Sequence, residues 1–350
     1  MSTKVLLLTQ YPPHIGGVST HSYNITKNSQ ETEFYVLSYR KHGKDIDLPE
    51  NVNINYLPTL NFIGGRGLSY IFLAIKKGSK LVKKEDIDII HSQYAGPPCL
   101  AGNIIKRKTN TPLITTIHGS DQSWIKFRPV KKALENSDTI ITVSNFLKKL
   151  IKKQINNKKI VKIFNGVSEE FKEEQSIKER KYITYVGELS PTKGVETLIE
   201  VSKKLNEEFL IIGDGNLRKK LEKKSNKNVT FKGYQDKKEI SKYLNKSKIL
   251  ILPSKKEGFG LTLIEAMKCG TPVIGRNIQG IKEIIQNNKN GLLFKNKKTL
   301  QKQIKKLLKN QKLCKKLSTN GKKYTKNLKW KKTANKTTKI YKNLKNNKTK

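Results

Sequence analysis

Two glutamates enclose a glycine-rich segment, EGFGLTLIE, in the last third of the chain: Glu257 begins it and Glu265 ends it. The segment follows an apolar run, KILILPS, that predicts a strand, and it leads into a helix that ends before Gly270. Gly258 and Gly260 let the backbone approach a ligand closely, and the start of the helix offers unpaired N–H groups. Such a place suits a diphosphate, and the carboxylates suit pairs of sugar or ribose hydroxyls. The alternative is an ordinary helix with a surface glutamate, which the surrounding glycines and strands disfavour.

A histidine ends another apolar run. In ITTIHGSD, His118 follows a predicted strand and precedes a turn that contains Asp121. Side chains at the carboxyl ends of parallel strands line the ligand crevice of open α/β sheets. From the residues alone, His118 is either a ligand contact or a hydrogen-bonded histidine at a strand end.

The elements that position these residues alternate between strand and helix, which predicts an α/β fold with doubly wound parallel sheets. A helix is expected over residues 18–27, with Ser19 as its N-cap, and a capped amphipathic helix over residues 144–153. The charged segment 169–180 is the predicted linker. The predicted strands are residues 4–9, 33–37, 52–56, 87–91, 112–118, 139–143 and 160–164 before the linker, and 182–186, 209–212, 229–232, 249–252 and 272–274 after it.

The length of 350 residues and the 35% hydrophobic content predict two folded domains rather than a collagen-like or disordered chain. No run approaches the roughly 18 apolar residues of a membrane span. The first ten residues predict a strand rather than a signal, and the three scattered cysteines predict neither a disulfide framework nor a zinc site. We therefore expect a cytoplasmic protein.

The chain is strongly basic, with 72 Lys+Arg against 28 Asp+Glu and a formal net charge of +44. Only seven of the bases are arginine, the residue preferred for bidentate recognition of phosphates and bases, so a specific nucleic-acid partner is not expected. Residues 280–350 hold 24 lysines and one acid, Glu283. A surface of this kind attracts anionic lipid headgroups. Because Lys, Asn and Ile share A/T-rich codons, genome composition is the alternative cause of the excess.

The longer segment EGFGLTLIEAMKCGTPVI resembles the donor-binding segment of the retaining glycosyltransferases of family 4. The resemblance spans nearly the whole chain, through YPPHIGGVSTH, TTIHGSD, VSNFLKK, IFNGVSEEF, VGELSPTKGVETLI, IIGDGNLRKKLE and LKWKKTANKTTKIYKNL. It implies the GT-B architecture, in which two Rossmann-like domains with parallel sheets face each other across a cleft. An acceptor-side domain is expected over residues 1–170 and a nucleotide-sugar domain over 171–325. Residues 326–350 would form a helix packing back toward the N-terminal domain, and a basic tail.

The resemblance also implies roles for individual residues around a nucleotide-diphosphate sugar. Glu257 would bind the donor sugar, Glu265 the ribose hydroxyls, and Lys193 the charge that develops on the leaving diphosphate. His118 would contact the donor sugar, and Asp121 would orient its loop or touch the acceptor. The remaining positions act mainly through the backbone: Gly258, Phe259, Gly260 and Leu261 at the sugar and phosphates, Gly16 and Gly17 over the phosphates, and Gly233 and Tyr234 at the base.

One position departs from the family pattern. The residue before the Leu-x-Pro-x-Lys-Gly stretch is commonly an arginine that acts with the lysine on the diphosphate, and here it is Glu188. A carboxylate about 4 Å from a phosphate charge would cost up to ~4 kcal/mol at an effective dielectric of about 20. Either Glu188 points away and another base, such as Arg218 or a nearby lysine, replaces the arginine, or the leaving-group contact is weaker.

The resemblance implies a retaining hexosyltransferase of cell-envelope glycan biosynthesis that uses a UDP- or GDP-sugar and a glycolipid or saccharide acceptor. No metal or other cofactor is implied. Two alternatives stay open: a catalytically weakened polyanion- or nucleic-acid-binding protein on the same scaffold, and a GT-B nucleotide-sugar epimerase. Residues 67–75 (GLSYIFLAI), flanked by Arg66, Lys76 and Lys77, form either an ordinary buried helix or a segment that dips into an anionic membrane surface.

Overall fold

The computed structural model describes residues 2–39, 47–60, 62, 64–156, 159–177 and 179–348. The chain divides into two compact units, Met1–Gly166 with Trp330–Lys350, and Val167–Lys329. In each unit the central strands are buried on both faces, which is the arrangement that a parallel sheet covered by helices requires. The predicted α/β fold with two Rossmann-like sheets is confirmed.

The first unit has a seven-stranded parallel sheet in the order β3-β2-β1-β4-β5-β6-β7. Side chains of β1 alternate between two cores, with Val5 and Leu7 in one and Leu6 and Leu8 in the other. Its strands are β1 (Thr3–Thr9), β2 (Thr32–Ser38), β3 (Val52–Tyr56), β4 (Ile89–Ser92), β5 (Leu113–Ile117), β6 (Thr139–Thr142) and β7 (Ile160–Lys162). Its first helices are α1 (Gly17–Lys27), α2 (Gly65–Lys84), α3 (Pro97–Thr109), α4 (Arg128–Glu135) and α5 (Asn145–Gln154).

The second unit has a six-stranded parallel sheet in the order β10-β9-β8-β11-β12-β13. Its strands are β8 (Tyr182–Val186), β9 (Phe209–Ile212), β10 (Val229–Gly233), β11 (Ser247–Leu252), β12 (Val273–Arg276) and β13 (Leu292–Phe294). Its helices are α6 (Val195–Ser202), α7 (Arg218–Lys224), α8 (Lys237–Asn245), α9 (Leu261–Lys268), α10 (Gln279–Lys282), α11 (Lys297–Lys309) and α12 (Gln311–Thr325).

The last helix, α13 (Trp330–Lys348), belongs to the first unit. Tyr341 is fully buried in a core with Phe34, and Trp330 stacks edge-on against His21. Apolar residues at helical spacing therefore return this segment to the N-terminal sheet, as the resemblance implied.

Both sheets reverse their strand order at one point, between β1 and β4 in the first unit and between β8 and β11 in the second. At such a switch point the connections leave toward opposite faces, and a crevice opens at the carboxyl ends of the two strands. The segments that follow β1, β4, β8 and β11 are therefore the ones placed to hold ligands.

Two local predictions are wrong. Ser19 lies inside α1, which begins after Gly16, and its buried hydroxyl has no partner among the described residues. The described part of segment 169–180 is not a linker, because the guanidinium of Arg180 donates to the carbonyl oxygen of Ser247 at 3.0 Å and to Thr271 Oγ1 at 2.8 Å. These contacts attach the segment to the second unit.

Candidate functional site

Lys193 and Glu257 meet at the switch point of the second unit. Lys193 ends the turn after β8, and Glu257 lies on the loop after β11, the neighbouring strand. The Nζ of Lys193 donates to Glu257 Oε2 at 2.8 Å, and the two side chains are 27% and 15% exposed. Because the sheet order places these two strands side by side, residues 64 positions apart in the chain form one ion pair.

Close backbone packing holds the two loops together. The N–H of Lys255 donates to the carbonyl oxygen of Thr192 at 2.8 Å, and Gly194 takes a left-handed conformation with φ 65°. Behind the other loop, Gly280 at the start of α10 lies so near the backbone of Glu257 that a β-carbon there would overlap the carbonyl oxygen of Glu257. The position of Glu257 is thus set by a glycine outside its own segment.

The glycine-rich segment forms the start of α9. Gly260 precedes the helix with φ 79°, a conformation that disfavours side chains, and the ring of Phe259 is buried. The N–H of Gly258 donates to Glu257 Oε1 at 3.3 Å, so the carboxylate is held on two sides. Leu261 begins the helix, where backbone N–H groups and the helix dipole favour a negative charge.

Glu265 lies one turn further along α9, and its side chain is partly buried. Among the described residues no hydrogen bond reaches its carboxylate, and burial raises its pKa to about 7, with Lys237 opposing the rise. A partly buried carboxylate without a partner is the kind of group that a pair of ligand hydroxyls satisfies.

The resemblance implies that Glu265 accepts the ribose hydroxyls, and on that basis Glu265→Gln is expected to weaken nucleoside diphosphate binding about 10–100-fold, because hydrogen bonds to a charged acceptor contribute about 1.5–3 kcal/mol. Since the carboxylate must be ionised to accept two hydroxyls, wild-type affinity should rise with pH through about 7. Titration calorimetry across this pH range measures both effects, with the matching 2′,3′-dideoxy nucleotide as control. An equal pH slope in the variant would contradict the assignment.

The raised pKa of Glu265 also predicts that the stability of the fold depends on pH. The folded-state pKa of Glu265 lies above the ordinary value, so the folded state favours the protonated carboxyl. Its contribution to the free energy of unfolding therefore falls as pH rises from about 4.5 to above 7, and Glu265→Gln should flatten this part of the profile.

Glu188, the departure from the family pattern, is exposed on the loop after β8, where Ser190 Oγ donates to its carboxylate at 3.3 Å. Arg218 lies at the start of α7 and pairs with Asp214 at 3.1 Å and with Glu222 at 2.8 Å. Its guanidinium packs against Gly233, which ends β10, and the neighbouring Tyr234 is 56% exposed. Arg218 is thus committed to two carboxylates.

The first unit places His118 in a buried polar network. His118 Nε2 lies 3.0 Å from Gln93 Oε1, and Gln93 Nε2 lies 3.3 Å from His91 Nε2. His91 Nδ1 in turn lies 2.6 Å from the hydroxyl of Tyr341 on α13. Burial, followed by the neighbouring His21 and His91, holds the pKa of His118 well below its ordinary value, so the imidazole is neutral.

Asp121 holds the turn that carries His118. Its buried carboxylate accepts N–H groups from Gly119 at 2.7 Å, Ala95 at 3.0 Å and His118 at 3.2 Å. Burial raises its pKa, and these donors oppose the rise. Asp121 therefore orients the loop, which is one of the two roles implied by the resemblance.

Gly16 and Gly17 are exposed at the start of α1, and Gly16 has φ 140° with open space at its β-position. The same helix carries His21, whose ring meets that of His118 edge-on at 4.8 Å. The glycines and His21 follow β1, whereas His118 follows β5. These two strands lie on either side of β4 in the sheet.

The resemblance implies that His118 contacts the donor sugar, and on that basis Gln93→Leu is expected to lower the transfer rate about tenfold, because leaving a buried donor without its acceptor costs about 1–3 kcal/mol. The change removes the acceptor of the His118 Nε2–H and keeps the side-chain volume. Nitrogen NMR of the imidazole checks the geometry, since the wild type should carry its His118 proton on Nε2. A rate within twofold of wild type, with the fold intact, would contradict this role.

Sequence reasoning missed Gln93 and Gly280. Gln93 lies two residues beyond the predicted strand over residues 87–91, so its place was a usable signal. Gly280 carried no local signal, because its role follows from a contact with residue 257 in another loop.

Two family models match the chain and together span most of it. Residues 15–171 match Glycosyltransferase Family 4, and residues 167–324 match Glycosyl transferases group 1. An uncharacterized glycosyltransferase of Methanocaldococcus jannaschii is 36% identical over 352 residues, which cover 97% of this chain and 98% of that protein.

Solved structures agree in fold. Sucrose-phosphate synthase from Thermosynechococcus elongatus has a TM-score of 0.88 at 19% identity, covering 98% of this chain and 99% of that one. HepE of Anabaena in complex with UDP-glucose has a TM-score of 0.80 at 16% identity, covering 97% and 99%. With both family models and a full-length relative in agreement, the chain belongs to the group 1 glycosyltransferases of the GT-B fold.

Proposed function

We propose that the protein transfers a hexose from a UDP- or GDP-sugar to a hydroxyl of a lipid-linked or saccharide acceptor, with retention of the anomeric configuration. The acceptor hydroxyl attacks the anomeric carbon, the bond to the diphosphate breaks, and the departing phosphate accepts the proton. We place this activity in cell-envelope glycan biosynthesis, on the cytoplasmic side of the membrane.

The observation that carries the proposal is the ion pair of Lys193 and Glu257 beside the start of α9. It offers a cation for the diphosphate and a carboxylate for sugar hydroxyls, while the Glu265 carboxylate, which accepts no hydrogen bond among the described residues, suits the ribose. HepE, a protein of the same fold, is described in complex with UDP-glucose, which supports a nucleotide-sugar donor here.

We propose that no metal or other cofactor takes part. In this scheme Lys193 supplies the positive charge that a bound cation would otherwise supply at the leaving group. Transfer should therefore continue at an unchanged rate in excess EDTA.

A thermal-shift panel of UDP- and GDP-sugars tests the donor, because a ligand that binds the folded state raises the unfolding temperature. The donor that gives the largest shift is then assayed with lipid and saccharide acceptors, and proton NMR of the product reports the anomeric configuration. An inverted product would overturn retention, and a panel without any shift would overturn the donor class.

The same experiment separates the alternatives, which the family assignment does not favour. A polyanion-binding protein would bind nucleic acid with a steep salt dependence and would show no nucleotide-sugar shift. An epimerase would convert the donor in the absence of an acceptor.

We also propose that the enzyme works at an anionic membrane surface, because α2 presents two different faces. Tyr70 and Ala74 are buried, whereas Leu68 and Phe72 are 71% and 68% exposed. Leu60 and Phe62, just before the helix, are exposed as well. No helix among the described residues is long and apolar enough to cross a bilayer. Exposed apolar side chains followed by lysines suit the interface of anionic lipid.

Leu68→Ser with Phe72→Ser is expected to lower co-sedimentation with anionic vesicles at least about tenfold, since burying a large apolar side chain contributes about 1.5–3 kcal/mol. Phe127→Ser, at a similarly exposed aromatic residue outside α2, is the matched control. Equal binding of the double variant and the control would contradict the proposal.

A further inference from the structure

Two carboxylates near Lys193 oppose the binding of a diphosphate. Glu257 is already paired with Lys193 at 2.8 Å, and Glu188 lies on the loop that leads to Lys193. Both carboxylates help to raise the pKa of the Tyr185 hydroxyl. Burial of the tyrosine is the largest cause, and the negative charges of Glu257 and Glu188 follow in that order. Counted by themselves, the ammonium of Lys193 and the carboxylates of Glu188 and Glu257 sum to a net charge of −1, which is unfavourable for a ligand that carries further negative charge.

The two arginines at the same edge of the sheet are engaged elsewhere. Arg218 pairs with Asp214 and Glu222. Arg276, at the end of β12, donates to the carbonyl oxygen of Pro253 at 3.0 Å and packs over the ring of Phe294. Neither guanidinium is available to replace the family's arginine.

Unlike these two arginines, Lys255 lies on a loop that is hydrogen-bonded to the turn of Lys193. Its backbone N–H is bonded to Thr192, so its residue is attached to the turn that carries Lys193. Its Cγ lies 3.6 Å from the position that a β-carbon would take at Gly194, so the stem of the side chain packs against that turn. Lys255 is exposed and has no acidic partner among the described residues. Lys256 is equally exposed but makes no described contact with the turn.

We propose that Lys255 provides the second cationic contact to the diphosphate of the donor, in place of the arginine whose position Glu188 occupies. This inference rests on the proposed function, because it assumes a nucleotide-diphosphate sugar at Lys193. The charge of Lys255 turns the group of Glu188, Lys193 and Glu257 from net negative to neutral. The cation thus comes from the loop after β11 rather than from the loop after β8.

The test is titration calorimetry of the full chain with UDP, GDP, uridine and guanosine, using Lys255→Ala, Lys255→Arg and the matched control Lys256→Ala. Lys255→Ala should weaken the bound diphosphate at least tenfold and leave the nucleoside unchanged. Lys255→Arg and Lys256→Ala should stay within threefold of wild type. Glu188→Gln should strengthen diphosphate binding several-fold. Equal unfolding temperatures without ligand verify that each variant is folded.

The outcomes separate the two proposals. Wild type that binds neither UDP nor GDP overturns the proposed function and this inference with it. Wild type that binds a diphosphate, together with a Lys255→Ala affinity within threefold of it, overturns this inference alone. An equal loss in Lys256→Ala would also overturn it, because the effect would then be one of general surface charge.

Discussion

Transfer by Glu257→Ala and by Lys193→Ala is expected to fall about 10²–10³-fold or more, because each change removes a preorganised electrostatic contact in the site. In the proposed site, the sugar loses its carboxylate without Glu257, and the leaving diphosphate loses a cation without Lys193. The ion pair also positions each group for the other, so the double variant should lose little more than either single variant.

A matched ion pair controls for the loss of a salt bridge. Glu196 and Lys220 pair at 3.3 Å on the surface of the same unit, and Glu196→Ala should leave transfer within twofold of wild type. Rates are measured at saturating donor, with circular dichroism to verify folding. A folded Glu257→Ala or Lys193→Ala protein with full activity would contradict the site assignment.

Gly280→Ala is expected to lower transfer about 10²-fold although residue 280 carries no reacting group. The new methyl would overlap the carbonyl oxygen of Glu257, so the loop must move, and a displacement of about 1 Å at a reacting geometry costs that much. Overpacking of this kind also destabilises by about 1–3 kcal/mol. The effect should appear mainly in kcat, with nucleoside diphosphate affinity changed less.

Gly67→Ala is the control for this substitution, since Gly67 and the nearest atom to its β-position, Pro97 Cγ at 3.3 Å, both belong to the first unit. It should leave kcat within twofold of wild type. Chemical denaturation of both variants separates lost stability from lost activity. If Gly280→Ala keeps its kcat, the backbone contact does not position Glu257.

Much of the fold was predictable because local pattern and tertiary environment agree. Strands β3, β8 and β9 have the predicted bounds, and helix α9 ends before Gly270 as expected, since each has an apolar or alternating pattern bounded by polar or turn-forming residues. Ser144 caps α5 as expected, accepting the N–H of Leu147 at 3.2 Å. The linker prediction for residues 169–180 was wrong because Arg180 bonds to Thr271, a residue distant in the chain that local pattern does not reveal.

The same difference between local sequence pattern and long-range contact holds within the site. The sequence by itself determined which groups are present, since EGFGLTLIE supplies both carboxylates and the helix start, and PTKG supplies the lysine. Glu188 was visible as a departure from the family pattern, but its exposure and its contact with Ser190 were not.

Only the tertiary structure decided which groups meet. Strand order is set by how helices cover both faces of the sheet, and nothing local to residue 193 or 257 specifies that β8 pairs with β11. That pairing forms the Lys193–Glu257 ion pair and attaches Lys255 to the same turn. The sequence thus determined the chemistry available to this glycosyltransferase, and the order of its strands decided the arrangement, because contacts between distant segments depend on packing rather than on local propensity.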